Sequence, residues 1–195
     1  MRKLIVHNII SIDGYYAGPG DNVMVLPMDD WFNEYNAERM AAADTLLVGR
    51  RSYELFKGFW PPVADDPNMS PAHRQIGRLW KTLEAVVVSD SLTPDDTEPL
   101  RDTTRIVRRA EAHERIADLK RGAGREILMF GSHILWNDLL AAGLVDELHF
   151  TIGSVALGSG TPAFTVPTAG PLRLLGSERR DGSDNVIVRY APASG

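Results

Sequence analysis

The chain has 195 residues, of which 44% are hydrophobic and 24% charged, and its formal net charge is -5 at pH 7. That composition belongs to a globular domain with room for a real core, and its acidity argues against generic nucleic-acid or anionic-membrane binding, which need clustered Lys and Arg. Cysteine is absent, which excludes disulfide scaffolds, zinc-thiolate sites and thiol nucleophiles.

The N-terminal "MRKLIVHNIISIDGYY" has two basic residues before an apolar run, but the run carries His7, Asn8 and Asp13 and no small-residue cleavage site follows. A first strand over Lys3–Ile10 is the better account than a signal peptide. No stretch approaches the ~20 apolar residues of a membrane span, so a cytoplasmic protein is expected. Ser11–Asn22 is a loop punctuated by Asp13-Gly14 and "GPGD". From Asp29 the spacing of Trp31, Phe32, Tyr35 and Met40 suits a helix, with Asp29 or Asp30 as N-cap. "DTLLVG" (Asp44–Gly49) is a buried strand, and "RRSYELF" opens another helical turn.

Gly58–Pro71, rich in Pro and acidic residues, predicts a surface loop able to act as a lid. Ala72–Thr82 resumes a helix, Glu84–Ser89 and Thr104–Val107 are strands, and Ala110–Arg121 is a helix stopped by "GAG". The strand of "EILMF" leads through Gly131-Ser132 into a helix over His133–Ala142, capped by Gly143, and then to a strand over Val145–Ile152. Pro171–Arg179 and Asn185–Tyr190 form a hairpin. About eight strands alternating with four or five helices predict one α/β domain over residues 1–195, with a mixed, mostly parallel sheet between helical layers and an antiparallel C-terminal hairpin.

Three strand ends share a design. "LLVGRRS" sets Gly49, Arg50 and Arg51 at a helix start, "VVVSDS" sets Ser89 and Ser91 beyond a strand, and "ILMFGSH" sets Gly131 and Ser132 at another helix start. Ligands of open α/β sheets bind outside the carboxyl ends of the strands. A helix N-terminus offers unpaired N–H groups to a phosphate, Gly permits close backbone approach, and Arg clamps phosphate oxygens in pairs. Turn and capping chemistry alone also favours Gly and Ser at such junctions, so the two explanations stand side by side. Neither GxGxxG nor GxxxxGK[ST] occurs.

In order and spacing, "NIISIDGYYAGPG", "LLVGRRSYE", "VVVSDSL", "ILMFGSHILWNDLLAAGLVDELHF" and "ALGSGTPAF" resemble the dihydrofolate reductase-like superfamily. The similar branch is the C-terminal reductase domain of the bifunctional riboflavin-biosynthesis deaminase-reductase. The resemblance implies a three-layer α/β/α sandwich that binds NADPH and passes a hydride to a small heterocycle. It assigns Gly49, Arg50, Arg51, Gly131, Ser132, His133 and Ile134 to the cofactor's phosphates and ribose, and Ser89 to the adenosine ribose and its 2′-phosphate. Ala17 and Gly18 would meet the nicotinamide carboxamide, and Gly158 would pass near the nicotinamide. The chain has Gly131-Ser132 where the family often has Gly-Gly, and Gly153 where it often has Pro.

Reduction of an imine or carbonyl also calls for a proton source, and Asp13 and Asp30 are the candidates. Asp13 equally suits a turn, and Asp29 and Asp30 a helix cap. Met28 occupies the position that carries the pteridine-binding acid in dihydrofolate reductases, which disfavours folate as substrate. Trp31 and Trp60 are candidate walls of the substrate cleft. The five His lack ligand spacing, so no metal site is expected. The alternatives are a dihydrofolate or pterin reductase and a non-catalytic cofactor-binding protein of the same fold. A homodimer, with no nucleic-acid or membrane partner, is expected.

Overall fold

The computed structural model describes residues 1–192. In chain order its strands are β1 (Leu4–Ser11), β2 (Tyr15–Ala17), β3 (Ala43–Gly49), β4 (Glu84–Val88), β5 (Thr104–Val107), β6 (Glu126–Phe130), β7 (Glu147–Gly153), β8 (Thr161–Pro162), β9 (Arg173–Arg179) and β10 (Val186–Ala191). The α-helices are α1 (Asp30–Ala42), α2 (Arg50–Val63), α3 (Pro71–Thr82), α4 (Ala112–Arg121) and α5 (His133–Ala141). Eight strands form one sheet in the order β5-β4-β3-β6-β1-β7-β10-β9, while β2 and β8 pair separately. β5, β4, β3, β6, β1 and β7 run parallel, and β10 and β9 add the antiparallel edge. Among the described residues no helix is long and apolar enough to cross a membrane.

Both faces of the parallel strands are covered, which is why they read as unbroken apolar runs. Every residue of β1 is buried. One face packs Ile5, Leu46, Val48 and Leu128 against Ala37 and Met40 of α1, Tyr53 of α2, and Ile76 and Trp80 of α3. The opposite face packs Val6, Leu47, Met129 and Phe150 against Ile116 of α4 and Trp136 and Leu139 of α5. β9 is different: almost all of it is exposed, including Leu174 and Leu175.

Two expectations are corrected. The loop over Ser11–Asn22 contains the short strand β2, held by pairing with β8 across the chain. The first half of the expected lid over Gly58–Pro71 is helix, because α2 runs through Pro61 and Pro62 to Val63, and only 64–70 is turn and loop. Local propensity opposes this, since each Pro removes an N–H from the last turn. Tertiary contact prevails. Gly77 of α3 lets the end of α2 lie directly on it: a Cβ there would stand 2.6 Å from the Trp60 carbonyl oxygen and 2.7 Å from the Ala64 nitrogen.

The face under α1 also holds a buried polar network. His7 bonds Asn36 Oδ1 through Nδ1 (2.7 Å) and Thr151 Oγ1 through Nε2 (3.0 Å). His149, its register partner on β7, bonds the Tyr35 hydroxyl (2.8 Å) and Glu147 (2.9 Å). Burial, and secondarily the neighbouring His149, pushes His7 down to about 3. Burial lowers His149 too, in spite of its bond to Glu147, which acts in the opposite sense.

Gly77→Ala should therefore destabilise the fold by about 3 kcal/mol, because only backbone atoms could yield. In a chain of this size that lowers Tm by roughly 6–12 °C. Gly58→Ala, with open space around its Cβ on the exposed side of α2, should instead raise stability by about 0.5–1 kcal/mol. Thermal unfolding of the two variants checks both signs.

The buried histidines set the acid response. Their folded pKa values lie below the ordinary 6.5, so as pH falls below 6.5 the unfolded chain binds more protons than the folded one, for His7 down to about 3. Stability is complete above pH 6.5 and falls as pH drops below it, by up to about 1.4 kcal/mol per pH unit for each histidine. Denaturant titrations at stepped pH should show that slope, and His7→Gln should flatten it.

Candidate functional site

β6 is shorter than its neighbours, and this opens the sheet. Its pairing with β1 stops at His7↔Phe130, whereas β1 continues against β7 as far as Ser11↔Gly153. Its pairing with β3 stops at Leu46↔Leu128, whereas β3 continues against β4 to Gly49↔Val88. A notch results at the carboxyl rim, between Asn8–Ser11 and Leu47–Gly49, with Phe130-Gly131 as its floor. The crossovers change face here. α1 to α3 cover one side and α4 and α5 the other, which makes the notch a topological switch point.

Two left-handed residues end β6: Gly131 at φ 57° and Ser132 at φ 53°. Their polar atoms are used inside the protein. The Gly131 N–H donates to Asn8 Oδ1 (2.8 Å), the Ser132 N–H donates to Ser52 Oγ (2.9 Å), and the Gly49 N–H donates to Ser132 Oγ (2.8 Å). These bonds lock β1, β3, β6 and α2 together. A Cβ at position 131 would stand 3.0 Å from Ser52 Oγ, 3.4 Å from Phe56 Cζ and 3.5 Å from the Tyr16 hydroxyl. Gly131 and Ser132 thus shape the notch and have no N–H left over for a phosphate.

The donors left for a ligand belong to the helices that start there. The first N–H groups of a helix have no intrahelical acceptor. In α2 these belong to Arg50, Arg51 and Ser52, and in α5 to His133, Ile134 and Leu135. Neither helix has a side-chain cap or an acid in its first turn. By contrast α1 is capped by Asp29 and α3 by Ser70. The two bare positive ends meet at the notch from opposite faces of the sheet, an arrangement suited to an anion with several phosphate groups.

The side chains around this pair sort into three groups. The first lies beyond α2. Arg50 bonds Glu54 (2.7 Å) and the Ser91 hydroxyl, and Arg51 extends to Asp21 (3.6 Å) with its side chain 86% exposed. Ser89 is buried, and its Oγ accepts from the N–H groups of Ser91 (3.2 Å) and Leu92 (3.0 Å). It faces inward, so the hydroxyl at the rim is Ser91's.

The second group lies beyond β1. Ala17 is buried, and Gly160 presses on it so closely that a Cβ at 160 would stand 2.1 Å from the Ala17 carbonyl oxygen. The Gly18 N–H donates to the Asn22 carbonyl (2.9 Å). Gly158, at φ 68°, donates its N–H to Asp13 (2.7 Å). Asp13 also accepts from Ser11 Oγ (2.6 Å) and the Leu157 N–H (3.1 Å). The Ser11 hydroxyl, then the two backbone N–H groups, hold its carboxyl down to about 2. Asp13 is a loop clamp with no proton to give at neutral pH. His133 is likewise committed at its ring: Nε2–H donates to the carbonyls of Pro162 (2.8 Å) and Ala163 (3.0 Å).

The third group is aromatic. Phe32 and Phe130 flank His7 with ring centroids at 5.6 and 6.0 Å, on the α1 side of the notch. Tyr16 stacks on His133 at 4.8 Å. Asp29 caps α1 through the Phe32 N–H (2.9 Å), and Asp30 stands exposed in the first turn. Trp31, next to it, is half-buried. Trp60 is not brought to the rim. It packs on Phe59 (4.9 Å) and His73 (5.9 Å), and ten residues of helix place it ~15 Å along α2 from Arg50. Asn8, Tyr16, Ser52 and Phe56 are wall residues that no local pattern marks, because each of their contacts is long-range. Among the described residues no cluster of three or more His, Asp or Glu could hold a metal.

Comparison with known proteins bears on the family and the fold. Residues 2–186 match the family model described as the RibD C-terminal domain. The chain is 26% identical over 165 residues to uncharacterized protein YyaP of Bacillus subtilis (strain 168), covering 84% of this chain and 80% of that one. It is 27% identical over 188 residues to uncharacterized protein YwjB of the same organism, covering 91% and 92%. In fold it is similar to a pyrimidine reductase-like protein from Corynebacterium diphtheriae, with TM-score 0.68 and 15% identity over 100% of this chain and 93% of that one. It is also similar to a diaminohydroxyphosphoribosylaminopyrimidine deaminase/5-amino-6-(5-phosphoribosylamino)uracil reductase from Thermotoga maritima, with TM-score 0.66 and 11% identity over 98% of this chain and 57% of that one. The architecture is that of the dihydrofolate reductase-like reductase domains.

Proposed function

The chain belongs to the RibD C-terminal domain family, and on that footing we propose that it is an NADPH-dependent reductase acting on a small heterocycle, in the manner of a 5-amino-6-(5-phosphoribosylamino)uracil reductase. One observation carries this above the others. Two uncapped, acid-free helix starts converge on a single notch at the switch point of the sheet. In a chain of net charge -5 this is a local reversal of sign, and it suits a diphosphate.

The residues fit the cofactor in three parts. The first turn of α5 (His133, Ile134, Leu135) would hold the diphosphate. Arg50, Arg51 and Ser91 would take the adenosine-side phosphate, with Arg51 exchanging Asp21 for it. The paired loops Ala17-Gly18 and Gly158–Gly160 would border the nicotinamide. When bound, NADPH supplies the hydride, and the protein supplies position, charge and exclusion of water. Phe32 and Phe130 give the acceptor an apolar wall on the α1 side. Asp13 orders the loop at Leu157-Gly158, and Asp30, exposed at the start of α1, is the carboxylate left to relay a proton from water. A pterin substrate is less well served: Met28 stands where the acid would be needed, and Asp29 is occupied by its cap.

Arg50→Ala with Arg51→Ala should raise the Kd for NADPH by at least about tenfold and bring it close to that for NADH, because charge-assisted bonds to the 2′-phosphate are lost. Fluorescence titration with both cofactors measures it, and unchanged affinity and preference would rule the phosphate assignment out. The reaction is tested by following NADPH oxidation with 5-amino-6-(5-phosphoribosylamino)uracil and with dihydrofolate, and the pyrimidine should be the faster oxidant. On that substrate Asp30→Asn should lower kcat by about a hundredfold while leaving the Kd for NADPH unchanged. A full-speed Asp30→Asn enzyme would remove Asp30 from the mechanism.

A further inference from the structure

Tyr16 is a half-buried tyrosine whose hydroxyl bonds nothing among the described residues. The other tyrosines of the N-terminal half are partnered: Tyr15 with the Gly158 carbonyl (3.4 Å), Tyr35 with His149 (2.8 Å) and Tyr53 with Thr104 (2.8 Å). Tyr190 also lacks a partner, but it pairs with Leu148 near the start of β7, at the end of the sheet away from the rim. Its oxygen is not fully buried and keeps access to water, and an accessible donor without a protein partner at the rim of a notch calls for a reason.

The position of Tyr16 supplies one. Its hydroxyl stands 3.5 Å from where a Cβ of Gly131 would be, over the floor of the notch. The charges acting on it are Asp21, which opposes its ionisation, and Arg51 of α2, which favours it. Its ring lies on His133, the first residue of α5, with 24° between the planes. His133 is in turn fixed by the Pro162 and Ala163 carbonyls, so the phenol is held in place between the two bare helix starts. Burial keeps the proton on it, pushing the hydroxyl up to about 12, so near neutral pH it offers an O–H donor.

A second orphan lies alongside. Asn8 is 5% exposed; its Oδ1 takes the Gly131 N–H, while its Nδ2 has no partner. Two donors without acceptors therefore border Gly131, whose own N–H is already used. The missing partner is an acceptor, and the two positive helix ends select an anionic one.

Resting on the NADPH reading above, we propose that the Tyr16 hydroxyl is a binding residue of the notch and donates to a phosphate oxygen of the dinucleotide's diphosphate. It replaces the main-chain donors that Gly131 and Ser132 spend internally. No bond is made or broken in this role, and the tyrosine stays protonated throughout.

Tyr16→Phe keeps the ring and its stack on His133 and removes only the donor. In fluorescence titrations of the full chain it should raise the Kd for NADPH about tenfold. Inorganic pyrophosphate, competing with NADPH, should lose affinity in parallel. Tyr190→Phe should change neither constant. The inference is overturned if Tyr16→Phe binds NADPH as tightly as the wild type. It is equally overturned if NADPH weakens while pyrophosphate does not, or if pyrophosphate fails to compete with the wild type. A wild-type protein that binds no NADPH at all would sink the reductase reading, and this inference with it. Normal wild-type binding with an unaffected variant would sink this inference alone.

Discussion

Everything at the rim depends on β6 stopping early. Had the strand continued past Phe130, its backbone would have filled the space between Asn8–Ser11 of β1 and Leu47–Gly49 of β3, and the sheet would be closed. Two successive left-handed residues turn the chain out instead. For Gly131 that conformation is free of steric penalty, but for Ser132 it costs about 1–2 kcal/mol. The compensation is local: three hydrogen bonds connect Gly131, Ser132 and Gly49 to Asn8, Ser52 and each other. At about 1 kcal/mol each they offset the strain. The notch is thus an opening held apart by bonds on both sides, and it needs no ligand to exist.

The same economy governs charge. The protein caps α1 and α3 with Asp29 and Ser70, so its sequence has the means to quench a helix dipole where that is useful. At α2 and α5 it does not do so, and the first turns carry Arg50, Arg51 and His133 in place of acids. A residual restraint remains in Asp21, which faces Arg51 at 3.6 Å and is itself held by the Thr161 hydroxyl (2.8 Å). Both partners of that ion pair are well exposed, so it adds little stability and yields easily to a stronger anion.

The fold was legible because buried parallel strands are apolar on both faces, and the runs at Leu4–Ser11, Ala43–Gly49 and Glu126–Phe130 announce themselves. The rim was legible for a related reason, since every parallel strand must end on the same side. Two things were hidden. The first is where helices continue against local propensity: Pro61 and Pro62 read as a loop, and only the bare backbone of Gly77, distant in sequence, reveals why α2 persists. The second is the direction a side chain takes. Ser89 and Asp13 are polar residues at the expected strand ends, yet both turn toward backbone N–H groups. Asn8, Tyr16 and Ser52 reach Gly131-Ser132 only through contacts that no local pattern encodes.

The two departures from the family pattern illustrate how such contacts compensate. Where Gly-Gly is common, Ser132 adds an oxygen, and that oxygen accepts the Gly49 N–H, joining β3 to the start of α5. A second glycine could not make this bond, so the substitution tightens the floor of the notch instead of merely crowding it. Where Pro is common, Gly153 leaves a gap, and the ring of Pro27 fills it: a Cβ at 153 would stand 2.8 Å from Pro27 Cδ. Pro27 lies in the segment leading into α1, where the Asn185 side chain donates to its carbonyl (2.8 Å). In both places a residue distant in sequence, Ser132 for Gly49 and Pro27 for Gly153, supplies the packing at the end of a strand.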